Sequence, residues 1–178
     1  PYRTLITHGF SLDEHGRKMS KSLGNVIAPR QITDGGKDKK KEPAYGMDVL
    51  RLWVSSMDYS QDMSLGPTII AHMAENMRKL RNTLRFILGN LSDFNSGSII
   101  SYERLAPIDR YLLHELVQFK RRTTEAYDAY AFYQVLREIN QFTNMTLSAL
   151  YFDVVKDTLY ADHPSDSRRL AAQTTLYY

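Results

Sequence analysis

From Pro67 onward, apolar residues return at helical spacing in one stretch after another, and that periodicity leaves little choice but a bundle of α-helices. Met73, Met77, Leu80, Leu84, Ile87 and Leu91 follow one another in steps of 4, 3, 4, 3 and 4, the signature of a helix packed lengthwise against partners. Pro67 suits its first turn, and Gly89-Asn90 marks its end. A loop over residues 93–106 contains Asn95-Ser96-Gly97-Ser98. Pro107 opens a second helix that buries Leu112, Leu116, Phe119 and Ala126 and breaks at residues 127–131. A third helix carries Phe132, Val135, Leu136, Ile139, Phe142, Thr146 and Leu150 on one stripe. The short break between the second and third makes them an antiparallel hairpin. Residues 151–160 form an apolar helix end on the bundle, and Ser165 or Ser167 caps a last helix through Leu176.

The first third reads differently. Residues 2–10 (Tyr-Arg-Thr-Leu-Ile-Thr-His-Gly-Phe) are rich in β-branched and aromatic residues and predict a strand, which Leu12 extends. Residues 34–43, with Gly35-Gly36, four lysines and a closing Pro43, predict a flexible polar stretch. A helix over 47–58 is expected to bury Leu50, Trp53, Val54 and Met57, with Trp53 as a core anchor. Residues 59–66 are a turn-rich connection with room for extended pairing. The fold class is therefore mainly α, with a short α/β portion ahead of an antiparallel helical bundle.

Composition narrows the function classes. Apolar residues make up 43% of the 178, enough for a packed core, and cysteine is absent, which excludes disulfides and Cys-based zinc sites. No apolar run approaches the ~18 residues of a membrane span. The net charge of +3 is uneven: residues 1–41 hold nine Lys/Arg against four Asp/Glu, and the remainder fourteen against sixteen. The basic surplus near the N-terminal end favours an anionic ligand there.

That surplus centres on Gly16-Arg17-Lys18-Met19-Ser20-Lys21-Ser22-Leu23-Gly24-Asn25. Lys18 and Lys21 lie three apart on a segment that glycine lets bend at each end, and Ser20 and Ser22 add hydroxyls. Lysines as mobile point charges, with backbone N–H groups around a turn, suit a phosphate chain. The Gly-x-x-x-x-Gly-Lys-Ser/Thr pattern of other phosphate-binding loops is missing. Arg78, Lys79, Arg81 and Arg85 ride on the long helix, where they can reach phosphates or stay solvated.

The order Thr-His-Gly-Phe, then Lys-Met-Ser-Lys-Ser-Leu-Gly-Asn, then Gly46-Met47-Asp48-Val49-Leu50-Arg51-Leu52-Trp53-Val54 resembles the class I aminoacyl-tRNA synthetases. Arg78-Lys79-Leu80-Arg81-Asn82-Thr83, Asp109-Arg110-Tyr111, Tyr151-Phe152-Asp153 and Arg168-Arg169 make it most similar to the isoleucyl-tRNA synthetases over nearly the whole chain. The resemblance implies three parts: residues 1–28 as the end of the catalytic domain, 29–65 as a stem-contact junction with a lysine-rich insertion, and 66–178 as an incomplete anticodon-binding helical domain. It implies ATP-dependent activation of isoleucine and transfer to tRNA(Ile), with Mg2+ accompanying ATP and no metal site in this chain. It further implies a monomeric parent in the cytoplasm or an organelle.

Under that resemblance Lys21 is the primary ATP-contacting residue and Lys18 the second. Ser20 and Ser22 orient the loop or phosphate oxygens, and Met19 packs beneath it. His8, Gly9 and Asn25 are accessory candidates, and Arg78, Arg81 and Arg85 are candidates for contact with tRNA. The His-x-Gly-His element that class I enzymes also need does not occur here, so the chain reads as a C-terminal slice that neither activates isoleucine nor binds ATP tightly alone. A non-catalytic tRNA-binding helical module, or the equivalent piece of a valyl- or leucyl-tRNA synthetase, is the alternative.

Overall fold

The computed structural model describes all residues from Pro1 to Tyr178. It is mainly helical and divides into two compact units: Pro1–Arg78 with Ala131–Leu136, and Lys79–Tyr130 with Arg137–Tyr178. No helix is long and apolar enough to cross a membrane.

In the first unit the expected strand over residues 2–10 does not form. Only β1 (Ser11–Leu12) pairs, in parallel with β2 (Met63–Ser64). A strand needs a neighbour to take its backbone hydrogen bonds, and residues 2–8 have none; the contact to the 59–65 segment starts at Gly9, whose N–H donates to the Tyr59 carbonyl at 2.9 Å. Met63 N–H to Phe10 O (2.8 Å) and Leu65 N–H to Leu12 O (2.9 Å) continue it. Gly9 is required by proximity: a Cβ there would lie 2.3 Å from the Gln61 carbonyl oxygen. Gly9→Ala should therefore cost about 1–3 kcal/mol of stability, as overpacking does, read as a lower urea midpoint with unchanged slope.

α1 (Pro29–Thr33) and α2 (Met47–Ser56) follow. The first core gathers Ile32, Val49, Trp53, Leu65 and Ile70, with Met19, Ile27, Leu50 and Met57 packed on it. Trp53 is the anchor expected, and its indole N–H donates to the Ser64 carbonyl at 3.1 Å. Val54 is not on that face; it stays 50% exposed, and Val49 takes its place. Residues 34–43 are a closed turn rather than a loose tether. Gly36 N–H donates to Glu42 O (3.0 Å), Glu42 N–H to Asp38 O (2.8 Å), and the Lys39 ammonium to Asp34 O (2.8 Å).

α3 (Pro67–Asn90) is the long helix expected, but its buried residues do not form one stripe. Met73, Ala74 and Met77 pack on the first core, whereas Phe86, Ile87 and Leu91 pack on the second. Thr83 is buried, and Leu84 and Leu88 are 59% and 69% exposed. A single stripe presumes one partner along the whole helix, and this helix serves two cores.

The second unit is built on α4 (Pro107–Asp128), which ends where Tyr130 turns the chain at φ 55. α5 (Phe132–Gln141) runs into a π-helical segment (Phe142–Tyr151) and then α6 (Phe152–Ala161) without a break. Asp109 meets Tyr151, Phe119 stacks on Phe142, and Arg122 pairs with Glu138 at 2.7 Å. Contacts whose numbers rise on one side as they fall on the other are those of antiparallel neighbours, so the expected hairpin is present. Its inner stripe is different, because i→i+5 turns replace i→i+4 turns. Phe142, Leu147 and Tyr151 face inward at steps of five and four, and Leu150 turns outward. α7 (Ser167–Tyr177) packs against α4 and α6, and its cap is Asp166, whose carboxylate accepts from Arg168 N–H at 2.8 Å, rather than either serine.

Candidate functional site

The lysine-bearing loop leaves β1 and returns beside it. Leu12 and Lys18 form an antiparallel bridge, Asp13 N–H donates to Arg17 O (2.9 Å), and Met19 N–H donates to Ser11 O (3.2 Å). The two glycines at its ends, Gly16 (φ 74) and Gly24 (φ 66), adopt left-handed backbone that a side chain would disfavour.

The stem is fixed by a buried carboxylate that the sequence did not single out. Asp13 Oδ1 accepts from the N–H groups of His15 and Arg17, both at 2.9 Å. Asp13 Oδ2 accepts from Asn25 Nδ2 (3.0 Å) and from the Arg17 guanidinium (2.9 Å). The Asn25 amide, followed by the Arg17 backbone N–H, holds this carboxyl well below the usual carboxylate range, so it stays ionised through ordinary acid conditions. Asn25 completes the clamp. Its Oδ1 accepts from Ser20 N–H at 2.9 Å and its Nδ2 also reaches Lys18 O at 3.3 Å. One amide thus ties the outgoing and returning limbs of the loop together.

Above this stem, Ser20 and Ser22 share a hydrogen bond at 3.1 Å, and Leu23 N–H donates to Ser20 Oγ at 3.3 Å. Met19 packs on the first core. The Lys18 ammonium lies 3.7 Å from the centre of the Phe10 ring, a cation–π contact. Lys21 is exposed and makes no ion pair. The structure therefore presents one uncommitted ammonium and one resting on an aromatic face, on a loop whose base is rigid. Such an arrangement can close on a polyanion without reorganising its stem.

His8 is exposed and sits with Ile6, Thr7, Val54, Tyr59 and Phe132 around a shallow cleft of about 360 Å³, its ring nitrogen 2.8 Å from the Gly9 carbonyl. No contact joins it to the lysines. On α3, Arg78 is taken up by Glu75, with Nε to Oε2 at 2.9 Å and a second contact between NH2 and Oε1, whereas Arg81 and Arg85 are exposed without ion-pair partners. No three His, Cys, Asp or Glu side chains converge so as to hold a metal ion.

Comparison with known proteins bears on both halves. Residues 1–66 match the family described as tRNA synthetases class I (I, L, M and V), and residues 109–178 match the anticodon-binding domain of tRNA ligase. The isoleucine–tRNA ligase of Cyanothece sp. is 49% identical over 178 residues, covering 99% of this chain and 19% of its own. That of Syntrophomonas wolfei is 50% identical, covering 99% and 18%. The chain thus spans about a fifth of the length of these relatives. In three dimensions it is similar to a LeuRS of Agrobacterium radiobacter solved in a ternary complex with tRNA and LeuAMS. That match has a TM-score of 0.67 and 21% identity, covering 94% of this chain and 19% of the other, a likeness of fold.

Proposed function

Because the chain belongs to the class I tRNA synthetases (I, L, M and V), we propose that it is the segment of an isoleucine–tRNA ligase that closes a cationic loop on ATP and begins the tRNA-binding helices. The observation that carries this reading is the loop itself: two lysines on a stem held by Asp13 and Asn25, in a chain 49% identical to named isoleucine–tRNA ligases. The division proposed is residues 1–28 for the end of the catalytic domain, 29–65 for the junction and 66–178 for the helical part.

The parent reaction joins the isoleucine carboxylate oxygen to the α-phosphorus of ATP as the bond from that phosphorus to the bridging oxygen breaks. The electron pair leaves on pyrophosphate. Lys21, and Lys18 once lifted from Phe10, would sit against that growing charge, which stabilises the transition state more than the bound ATP. Ser20 and Ser22 shape the loop, and Met19 seats it on the first core. His8 and Gly9 have a supporting place at the approach to β1. Mg2+ is expected to accompany ATP, bound mainly through its phosphates. Transfer of the isoleucyl group to tRNA(Ile) completes the cycle in a monomeric enzyme of the cytoplasm or an organelle.

The reading is tested by isoleucine-dependent ATP–pyrophosphate exchange in the full-length enzyme. Replacing residues 17–23 by a glycine-serine linker should abolish it, and valine- or leucine-dependent exchange in its place would reassign the amino acid. The tRNA contact has its own test. Arg81 and Arg85, like Lys79, are exposed cations of α3 without an ion pair, and Arg78 is already paired with Glu75. Arg81→Ala with Arg85→Ala should weaken tRNA binding about tenfold and flatten its log-log salt slope by about 1.5, since each phosphate contact contributes ~0.7–0.9. An unchanged slope would place the RNA elsewhere.

A further inference from the structure

We propose that Glu14 is a positioning residue for the lysine loop, acting through the N-terminus of α3; the inference rests on the reading of that loop given above. Glu14 lies in the turn between Asp13 and Gly16, and its Oε1 accepts from Thr68 N–H at 2.7 Å and from Ile69 N–H at 3.4 Å. The helix cannot cap itself. Gly66 precedes it and has no side chain, and Pro67 has no N–H. Ile70 N–H is the first to find a helical partner, the Gly66 carbonyl at 3.0 Å. The carboxylate that satisfies the remaining donors comes from a residue 54 positions earlier in the chain. A negative charge at that end is also favoured by the helix dipole.

Gly66 is shaped to admit it. A Cβ at that position would lie 1.8 Å from Glu14 Cγ and 2.2 Å from its Cδ, so any larger residue expels the carboxylate from the helix end. Gly66 does not have the positive φ that marks Gly16 and Gly24, so alanine there meets the carboxylate and no backbone strain.

The turn is thereby fixed at two points. Asp13 binds it to the loop's own limbs through Arg17 and Asn25, and Glu14 binds it to α3. Asp13 keeps the loop's internal shape, and Met19 seats the loop on the first core. Glu14 adds a direct tie from the turn at the loop's base to α3. A loop that must set ammonium groups against departing phosphate is sensitive to displacements of about 1 Å, so the second anchor sets catalytic geometry from outside the site.

The test is a double-mutant cycle in the full-length enzyme, read as ATP–pyrophosphate exchange per active site titrated by the adenylate burst. Glu14→Ala should lower kcat about five- to tenfold, the size of a lost helix cap, with the KM for isoleucine unchanged. Glu14→Gln, which keeps an oxygen acceptor, should recover most of that loss. Gly66→Ala should match Glu14→Ala, and the double variant should be no worse than either, because both remove one contact. A merely structural role would lower the number of titrated sites and leave kcat per site alone. Wild-type kcat per site in Glu14→Ala, or losses that multiply in the double variant, would overturn the proposal. Lys21→Ala serves as the control. If it also leaves exchange intact, the reading of the loop fails and this proposal with it; if it collapses exchange while Glu14→Ala does not, the proposal alone fails.

Discussion

Lys21→Ala in the full-length enzyme is expected to lower isoleucine-dependent ATP–pyrophosphate exchange by 10²–10³, about 3–4 kcal/mol of transition-state stabilisation, while tRNA affinity changes less than twofold. The size follows from when the contact is made. An ammonium that meets pyrophosphate only as negative charge accumulates contributes to the barrier and little to ground-state binding, so kcat and kcat/KM fall together. The structure separates Lys21 from its neighbour. Lys18 already rests on the Phe10 ring at 3.7 Å and must give up that contact to act, whereas Lys21 is exposed and without an ion pair. Lys18→Ala should accordingly lose less than Lys21→Ala. Lys21→Arg keeps the charge but brings a planar fork in place of a compact ammonium, and should rescue only part of the loss. Equal loss of exchange and tRNA binding in Lys21→Ala would mean that the substitution disturbs the fold and not the loop.

What could be read from the residues alone follows a physical division. Helical periodicity is local, so α2, α3 and α4 lie close to where it puts them. The hairpin of α4 with the helix that follows is also where a short break predicts it. Partners are not local. The segment from Tyr2 to Phe10 has strand composition, yet pairing begins at Gly9 because the 59–65 segment supplies acceptors and donors only from there. Leu84 has the right spacing and the wrong side, since α3 packs on a different core in each half. Leu150 fails because the helix widens to i→i+5 turns over Phe142–Tyr151, a change no apolar count announces. The lysines and serines are legible as a charged, bendable loop. The groups that hold it are not: no local pattern marks Asp13 or Glu14, and their partners at Asn25 and Thr68 are 12 and 54 residues distant.

Tyr151→Ala should be among the most damaging changes to the second unit, and its parts can be separated. Tyr151 is 1% exposed at the inward face of the π-helical segment, within the core that holds Leu112, Phe152 and Leu176. Its hydroxyl donates to Asp109 Oδ1 at 2.7 Å, and Asp109 Oδ2 accepts from Ala106 N–H at 3.2 Å at the start of α4. Removing the ring leaves a cavity, and removing the hydroxyl leaves a buried carboxylate one donor short. Large-to-small replacement of a buried aromatic costs about 3–5 kcal/mol. Tyr151→Phe isolates the second part at about 1–3 kcal/mol, the cost of a buried polar group without its partner. The two parts differ in pH dependence. Burial already raises the Asp109 carboxyl above its ordinary value, against the pull of Tyr151 and Ala106. Without the hydroxyl it rises further, so the folded variant binds a proton more readily than the unfolded chain does. By linkage, stability of Tyr151→Phe relative to the parent is lowest at neutral pH and recovers as pH falls toward the folded-state pKa of Asp109. The cavity left by Tyr151→Ala does not titrate, and its share of the loss persists in acid. Urea unfolding of both variants in a series from pH 7 down to the acid limit of the folded state checks this: the deficit of Tyr151→Phe should shrink on the way down while most of that of Tyr151→Ala remains. A Tyr151→Phe deficit constant over the whole series would show that the hydroxyl matters for packing and not for the charge of Asp109.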